Sequence, residues 1–418
     1  MKDKIIYHID CNSAYLSWEA VYRLQQGSEI DLRNIPSIVG GNEENRHGIV
    51  LAKSIPAKKY KIRTGESVRE AFSKCPILVN VPPNYNLYMK SSDAMVSILK
   101  EYSDQVQRFS VDESFVDVTN SLHLSGSDPI QLAYSIKDRI YNELGFTVNV
   151  GVSNNKLLAK MASDFKKPNR VHTLYPEEIE KKMWPLAVND LFMVGRATTS
   201  KLFKLGIYTI GDLAKSDKDL LYAHLKSHGL LVWNYANGIE DSIVRKSNYE
   251  FMKGIGNGTT IAFDVDKPEI AYKVLLSLTE SVGTRLREAD KCAGLVSVSI
   301  TTNEFTHASH QRKIMSCTDS TTKIYEIAKE LFDELWDGTP IRKLRVRVSE
   351  LVDNDFVQVS LYDDKNIQKL KAMDKAVDDI RRRFGSKSVV RACFVNSGLK
   401  AITGGVNEDD YPMMASIL

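Results

Sequence analysis

Two adjacent acids, Asp112 and Glu113, stand between apolar flanks built from Phe109, Val111, Phe115, Val116 and Val118. β-Branched and aromatic residues on both sides predict strands. In a continuous strand neighbouring side chains face opposite ways, so both acids serve one site only if the chain bends there, at a hairpin tip or bulge. Taken alone, the pair also reads as an exposed acidic turn. A third acid, Asp10, ends the apolar run Ile5-Ile6-Tyr7-His8-Ile9 and precedes the turn Cys11-Asn12-Ser13. A carboxylate at the end of a buried strand is costly unless it is paired, hydrogen-bonded or bound to metal. Three carboxylates from two strands make a hard oxygen site suited to Mg²⁺. Two such ions activate an attacking oxygen and stabilise a leaving one in phosphoryl transfer.

The elements that must carry these acids are legible in the apolar spacing. A helical pattern begins at Ala14. Met89, Met95, Val96, Leu99 and Tyr102 mark an amphipathic helix over 88–102, and Leu132, Ala133, Ile136, Ile140 and Leu144 mark another over 130–144. Thr147 to Val152 reads as a strand and Asn155 to Phe165 as a helix. Strand, helix, hairpin, helix, strand is the order of a ferredoxin-like unit. A chain of 418 residues should hold two to four domains, since single cores stop growing near about 250–300 residues. The net charge of +3 gives no global basic signal, so a polyanionic partner must be held by local patches. Five scattered cysteines without CxxC spacing argue against a zinc site and fit a reducing cytoplasm. No apolar run approaches the ~20 residues needed to span a bilayer.

Three segments together resemble the Y-family of translesion DNA polymerases, the bacterial polymerase IV and V group. They are Ile9-Asp10-Cys11-Asn12-Ser13-Ala14-Tyr15, Ser110-Val111-Asp112-Glu113-Ser114-Phe115, and Val150 to Ser163 with its Asn154-Asn155-Lys156 and Ala159-Lys160 steps. Lys167-Pro168-Asn169 completes the set, and the resemblance spans roughly residues 5–395. It implies an α+β right-hand polymerase: palm and fingers over 1–170 (fingers about 16–75), a helical thumb over 171–245, a linker over 246–260, a little finger over 261–355 and a tail over 356–418. It implies that Asp10, Asp112, Glu113 and the Cys11 carbonyl hold two Mg²⁺, with the three acids carrying catalysis. Tyr15 falls at the steric-gate position beneath the sugar, and Lys167 at a triphosphate contact. In the fingers the family has a Tyr and an Arg where this chain has Ile55 and Lys58, which implies a looser triphosphate clamp, because lysine is a point charge and arginine a planar fork.

Further along, Phe192 to Ile207 resembles a helix-hairpin-helix, with Gly195 at the hairpin and Lys201 on the following helix offered to a DNA backbone. The family's Pro-Gly before that hairpin is replaced by Phe192-Met193. Gly254 to Thr260 is Gly-rich and polar, hence the linker. Lys343, Arg345 and Arg347 alternate with apolar residues; this reads either as a solvated edge strand or as a cationic sheet face on DNA. Gln358, Leu361 and Tyr362 resemble a sliding-clamp motif, and their place ahead of a basic helix over 367–384 favours the polymerase V branch. The implied partners are primer-template DNA, dNTPs and a sliding clamp, with no membrane, for a cytoplasmic monomer. Lesion-bypass synthesis is the leading function; a catalytically weak or inactive clamp-tethered repair scaffold and a metal-dependent nuclease are the alternatives.

Overall fold

The computed structural model describes residues 4–42, 46, 48–125, 128–245, 252–354 and 367–402. The chain opens with strand β1 (Ile6–Cys11) and helix α1 (Ala14–Gln25). Strands β2 (Ser37–Gly40) and β3 (Val50–Lys53), helices α2 (Ile55–Lys59) and α3 (Val68–Lys74), and strand β4 (Val79–Val81) form the fingers. Their three-stranded sheet, ordered β3-β2-β4, has its own small core of Ile38, Val50, Ala57, Ile62, Val68 and neighbours. That sheet runs on to Val81, past the bound near 75 expected for the fingers, and α1 packs in the palm core. Ser54 caps α2 through Ala57 N–H, and Pro56 opens that helix as its fixed φ favours.

The palm resumes with α4 (Tyr85–Lys100), the hairpin β5 (Val106–Arg108) and β6 (Glu113–Asp117), the short α5 (Leu122–Ser125), α6 (Pro129–Leu144), β7 (Val148–Ser153), α7 (Lys156–Asp164) and β8 (Val171–Thr173). Its sheet order is β5-β6-β1-β7-β8, with β1 central and antiparallel to both β6 and β7. This is the ferredoxin-like arrangement expected. Strand β8 joins it parallel to β7, so the palm sheet runs past the boundary placed at 170.

Strand alternation divides the palm. Tyr7, Ile9 and Cys11 of β1, with Val148, Val150 and Val152 of β7, pack in the core shared with α1, α4 and α6. Ile6 and Phe115 pack in a second core with α7 and the thumb. Gly151 allows α7 to lie this close to the sheet: a Cβ there would stand 1.9 Å from the Ala159 carbonyl oxygen. Asn155 caps α7 through Leu158 N–H and also donates to the Gly238 carbonyl in the thumb.

The thumb contains α8 (Ile179–Lys182), α9 (Arg196–Lys204), α10 (Ile210–Ala214), α11 (Lys218–Leu225) and α12 (Ser227–Ala236). The little finger is built from β9 (Gly254–Val265), α13 (Pro268–Glu288), β10 (Lys291–Thr302), β11 (His307–Thr318), α14 (Thr321–Leu335) and β12 (Ile341–Asp353). Its sheet is ordered β11-β10-β12-β9, with one face buried against α13 and α14. The Gly-rich stretch expected as a linker is instead the first half of β9, paired along β12 from Gly254–Ser349 to Thr260–Lys343. Only residues 246–251 of that linker remain outside the described residues. Helix α15 (Ile367–Phe384) is no free tail: Arg287 of α13 pairs with Asp378, and Glu280 of α13 pairs with Arg381 and Arg391. Among the described residues no helix is long and apolar enough to cross a membrane.

Candidate active site

The hairpin does bend at the acids. Phe109 and Ser110 both donate their N–H to the Glu113 carbonyl, leaving Asp112 in the turn and Glu113 as the first residue of β6. The register sets Asp10 of β1 directly opposite Glu113. Both belong to the sheet face that α7 covers, as alternation with Ile6 and Phe115 requires. The Cys11 N–H donates to the Asp112 carbonyl at 3.0 Å, which pins the turn to β1. Two strand ends and one turn thus bring three acids, separated by about a hundred residues of chain, into one neighbourhood.

Each acid also has a partner from its surroundings. Lys167 Nζ lies 2.8 Å from Asp10 Oδ2 and 2.9 Å from Asp164 Oδ1. Lys160 Nζ lies 2.7 Å from Glu113 Oε1. The Ser110 hydroxyl donates to Asp112 Oδ1 at 2.6 Å. With the side chains so placed, no group of three or more His, Cys, Asp or Glu among the described residues stands at metal-holding geometry. Burial drives the Asp10 carboxyl up to about 7; the Lys167 charge opposes this and the Glu113 carboxylate reinforces it. Burial also raises Asp112, against the Ser110 hydrogen bond. Burial works to lower Lys167, yet the carboxylates of Asp10 and Asp164 hold it above the usual lysine range. Desolvated carboxyls that remain acidic only with difficulty are a donor set that a divalent cation satisfies, and hard oxygen ligands suit that cation. The donor chemistry suits such an ion, while the carboxylate oxygens as placed turn to Lys167, Lys160 and Ser110.

Around this centre Tyr15, in the first turn of α1, stacks on Tyr88 of α4 with centroids 4.5 Å apart and rings 13° from parallel. Lys58 of α2 is exposed, and Ile55 is half exposed. Lys53, at the end of β3, carries no motif that marks it in the sequence; burial lowers its pKa, and the Lys58 charge lowers it further. The two lysines thus share one cationic patch. Asn12 and Asn149, equally unmarked in sequence, shape the floor: Asn169 N–H and Arg170 N–H donate to their side-chain oxygens. Lys160 and Lys156 lie in the apolar run of α7. A lysine at a core-facing helical position is the signal available for both, since such residues stay buried only when paired.

Gly195 is the N-cap of α9, as the hairpin reading requires. An open groove of about 820 Å³ runs there between Asn189, Gly195, Arg196, Ser200, Phe203 and Lys204. Lys201 is exposed on the same helix but does not line the groove. In the little finger Lys343, Arg345 and Arg347 are all exposed on the face opposite the helices. Strand β12 lies between β10 and β9, so the edge-strand reading is excluded. Gln358, Leu361 and Tyr362 lie outside the described residues.

A ferredoxin-like palm with acids at its strand ends, flanked by fingers, thumb and a cationic sheet, defines a nucleotidyl-transfer polymerase of the right-hand class. The profile of the impB/mucB/samB family matches residues 9–164, and that of its C-terminal domain matches residues 252–361. DNA polymerase IV of Clostridium acetobutylicum is 47% identical over 93% of this chain and 98% of its own length. DNA polymerase IV of Acetivibrio thermocellus is 40% identical over 96% of this chain and 100% of its own length. DNA polymerase IV 2 of Bacillus subtilis is 37% identical over 96% of this chain and 97% of its own. A solved Y-family DNA polymerase chimera of Dbh and Dpo4 superposes with a TM-score of 0.70 at 22% identity, covering 84% of this chain and all of the chimera, and so shares its fold. The chain belongs to the impB/mucB/samB family, the Y-family of translesion DNA polymerases. These relatives carry the polymerase IV name, one of the two branches that the sequence alone does not separate, although the placement of Gln358 leans towards the other.

Proposed function

We propose that the protein extends DNA primers across damaged template positions by nucleotidyl transfer at Asp10, Asp112 and Glu113. The observation that carries this reading is the register: Asp10 opposes Glu113 across β1 and β6, with Asp112 tied to β1 one residue away. These three carboxylates and the Cys11 carbonyl would hold two Mg²⁺, which when bound lower the pKa of the primer 3′-hydroxyl and neutralise the triphosphate. Lys167, oriented by Asp10 and Asp164, supplies a positive group at the rim for the triphosphate. Lys58 and its neighbour Lys53 extend that field from the fingers. Tyr15, fixed against Tyr88, fills the space beneath a deoxyribose and collides with a 2′-hydroxyl. The N-terminal end of α9 offers backbone N–H groups to a phosphate. The cationic little-finger face follows the duplex backbone without reading bases. Small fingers leave the nascent pair loosely enclosed, which favours bypass over accuracy. A clamp docked at Gln358, Leu361 and Tyr362 would hold the monomeric enzyme at the primer terminus.

Primer extension on undamaged and abasic templates tests this. Wild-type protein with Mg²⁺ and dNTPs adds nucleotides, while Asp112→Ala and Glu113→Ala each lose about three orders of magnitude or more, as expected when transition-state charge goes unneutralised. Undiminished incorporation by either variant refutes the assignment; degradation of the primer points to a nuclease, and binding without extension to a scaffold.

A further inference from the structure

Lys160 is engaged on three sides. Its ammonium is 2.7 Å from Glu113 Oε1, 5.2 Å from the Phe109 ring centroid and 5.4 Å from the Phe192 ring centroid. Only 8% of the residue is exposed. A lysine this buried needs compensation, and one carboxylate with two aromatic faces provides it. The two rings come from different parts of the hand. Phe109 opens the palm turn that carries Asp112 and Glu113, whereas Phe192 leads into the thumb hairpin. The rings touch each other edge-on at 6.1 Å, and Phe192 also stacks on Tyr235 of α12 at 6.3 Å. Phe192 and Met193 are the pair that stands where Pro-Gly was expected. Met193 takes φ +72°, a left-handed conformation glycine adopts without cost, so the backbone path is kept while an aromatic ring is added. Two residues later Gly195 opens α9 and its groove.

We propose that Lys160 is a positioning residue for Glu113, and that Phe192 couples it to the thumb hairpin, so that the placement of α9 on a phosphate backbone helps set the orientation of the acid. The coupling rests on the polymerase reading above. It is physical because a ring, an ammonium and a carboxylate are in sequential contact, and displacing the first loosens the second. Lys160 uses one oxygen of Glu113, fixing its plane, as groups behind a ligand commonly do.

Single-turnover primer extension, Mn²⁺ binding without DNA or nucleotide by paramagnetic resonance, and thermal unfolding together test this. Lys160→Met is expected to lower kcat about 10- to 100-fold, with KM for dNTP changing about threefold or less. Its Mn²⁺ binding is not weakened, since a competing cation has been removed. Lys160→Arg, which keeps charge and stacking, restores kcat to within about threefold of wild type. Phe192→Leu lowers kcat about fivefold alone but adds nothing in the Lys160→Met background. Lys160→Met at wild-type kcat, joint loss of kcat and Mn²⁺ binding in a folded variant, or multiplicative Phe192 and Lys160 effects overturns the coupling. If Lys160→Met unfolds, failure of Lys160→Arg to retain activity, or of Phe192→Leu to lower it, is decisive instead. Wild-type protein that extends no primer sinks the polymerase reading itself, whereas active wild type with unaffected variants sinks only the coupling.

Discussion

At the scale of single residues, the site is held at a cost to stability. Burial raises the Asp10 carboxyl from 3.8 to about 7, so the folded chain keeps a proton that the unfolded chain has released. The stability that protonated Asp10 allows is complete below about pH 4 and is lost as pH rises through 7. In chelator-treated protein Asp10→Asn should therefore unfold at a higher temperature than wild type at pH 8, and the difference should shrink towards pH 5. The same variant should be inactive in primer extension. Scanning calorimetry across that range checks the sign; a destabilised Asp10→Asn at pH 8 would mean that the Lys167 pair outweighs the desolvation. Tyr15 carries a separate expectation. Its ring contributes shape rather than charge, so Tyr15→Ala should leave dNTP addition within about tenfold of wild type while raising ribonucleotide insertion by about 100-fold or more. Competition between a dNTP and its ribonucleotide reads this directly. The three acids are legible from sequence only because Asp10, ending a buried strand, and the Asp112-Glu113 pair between apolar flanks occur together; the pair alone reads as an exposed turn. Lys160 is not legible, because helical spacing places it among core positions without saying which acid it meets on the sheet face beneath.

At the scale of elements, the clearest gap between sequence and structure is β9. Gly254, Gly256 and Gly258 read as a flexible linker because glycine weakens strands. Their role in the fold is different: Gly256 and Gly258 face Arg347 and Arg345 across the pair, and a Cβ at either would stand 3.0 Å from the arginine Cβ. The arginines lie over bare backbone on one side, with Ser297 and Ser299 of β10 on the other. A ridge of cations between small residues is a surface that a phosphate chain can approach closely. Composition alone could not reveal this, since the reason for glycine lies on a partner strand about ninety residues away. The paired expectation concerns DNA affinity. Arg345→Ala with Arg347→Ala should weaken primer-template binding uniformly across sequences. It should also reduce the slope of log affinity against log salt by about 2, roughly 0.9 for each phosphate no longer neutralised. Fluorescence anisotropy over a range of KCl concentrations measures that slope. An unchanged slope would assign the ridge to solvent rather than DNA. Strands β4, β8 and β11 escape sequence reading for simpler reasons, two being three residues long and the third a polar edge strand.

At the scale of the whole molecule, palm and thumb share one apolar core, finger strands pack into the other palm core, and polar contacts add further ties between the pieces. Asn155 joins palm to thumb, Arg46 pairs with Asp264 between fingers and little finger, and Lys160 spans palm and thumb. The C-terminal helix follows the same rule. Glu280, 5% exposed in the middle of α13, receives Arg381 at 2.6 Å and Arg391 at 2.5 Å. Arg287, about two turns further along the same face of α13, pairs with Asp378 and approaches Asp374. Lys371 meets Asp319, and Leu399 packs against the little-finger core. The pairs are of alternating sense, acid to base and base to acid, so α15 can lie on α13 in one register and a slip opposes like charges. From sequence only a basic amphipathic helix is visible; where its charges pair is hidden because their partners lie about a hundred residues earlier. Breaking a buried pair leaves an uncompensated charge and costs about 3–5 kcal/mol. Glu280→Gln should accordingly release the segment beyond residue 367 while sparing the four-stranded sheet, whose apolar packing does not involve it. Limited proteolysis is the direct measurement: the variant should be trimmed of its C-terminal segment at protease concentrations that leave wild type intact, and the remaining little finger should resist. If instead the variant is cut no faster than wild type, the clasp does not hold α15, and the segment's register must be fixed by its apolar packing.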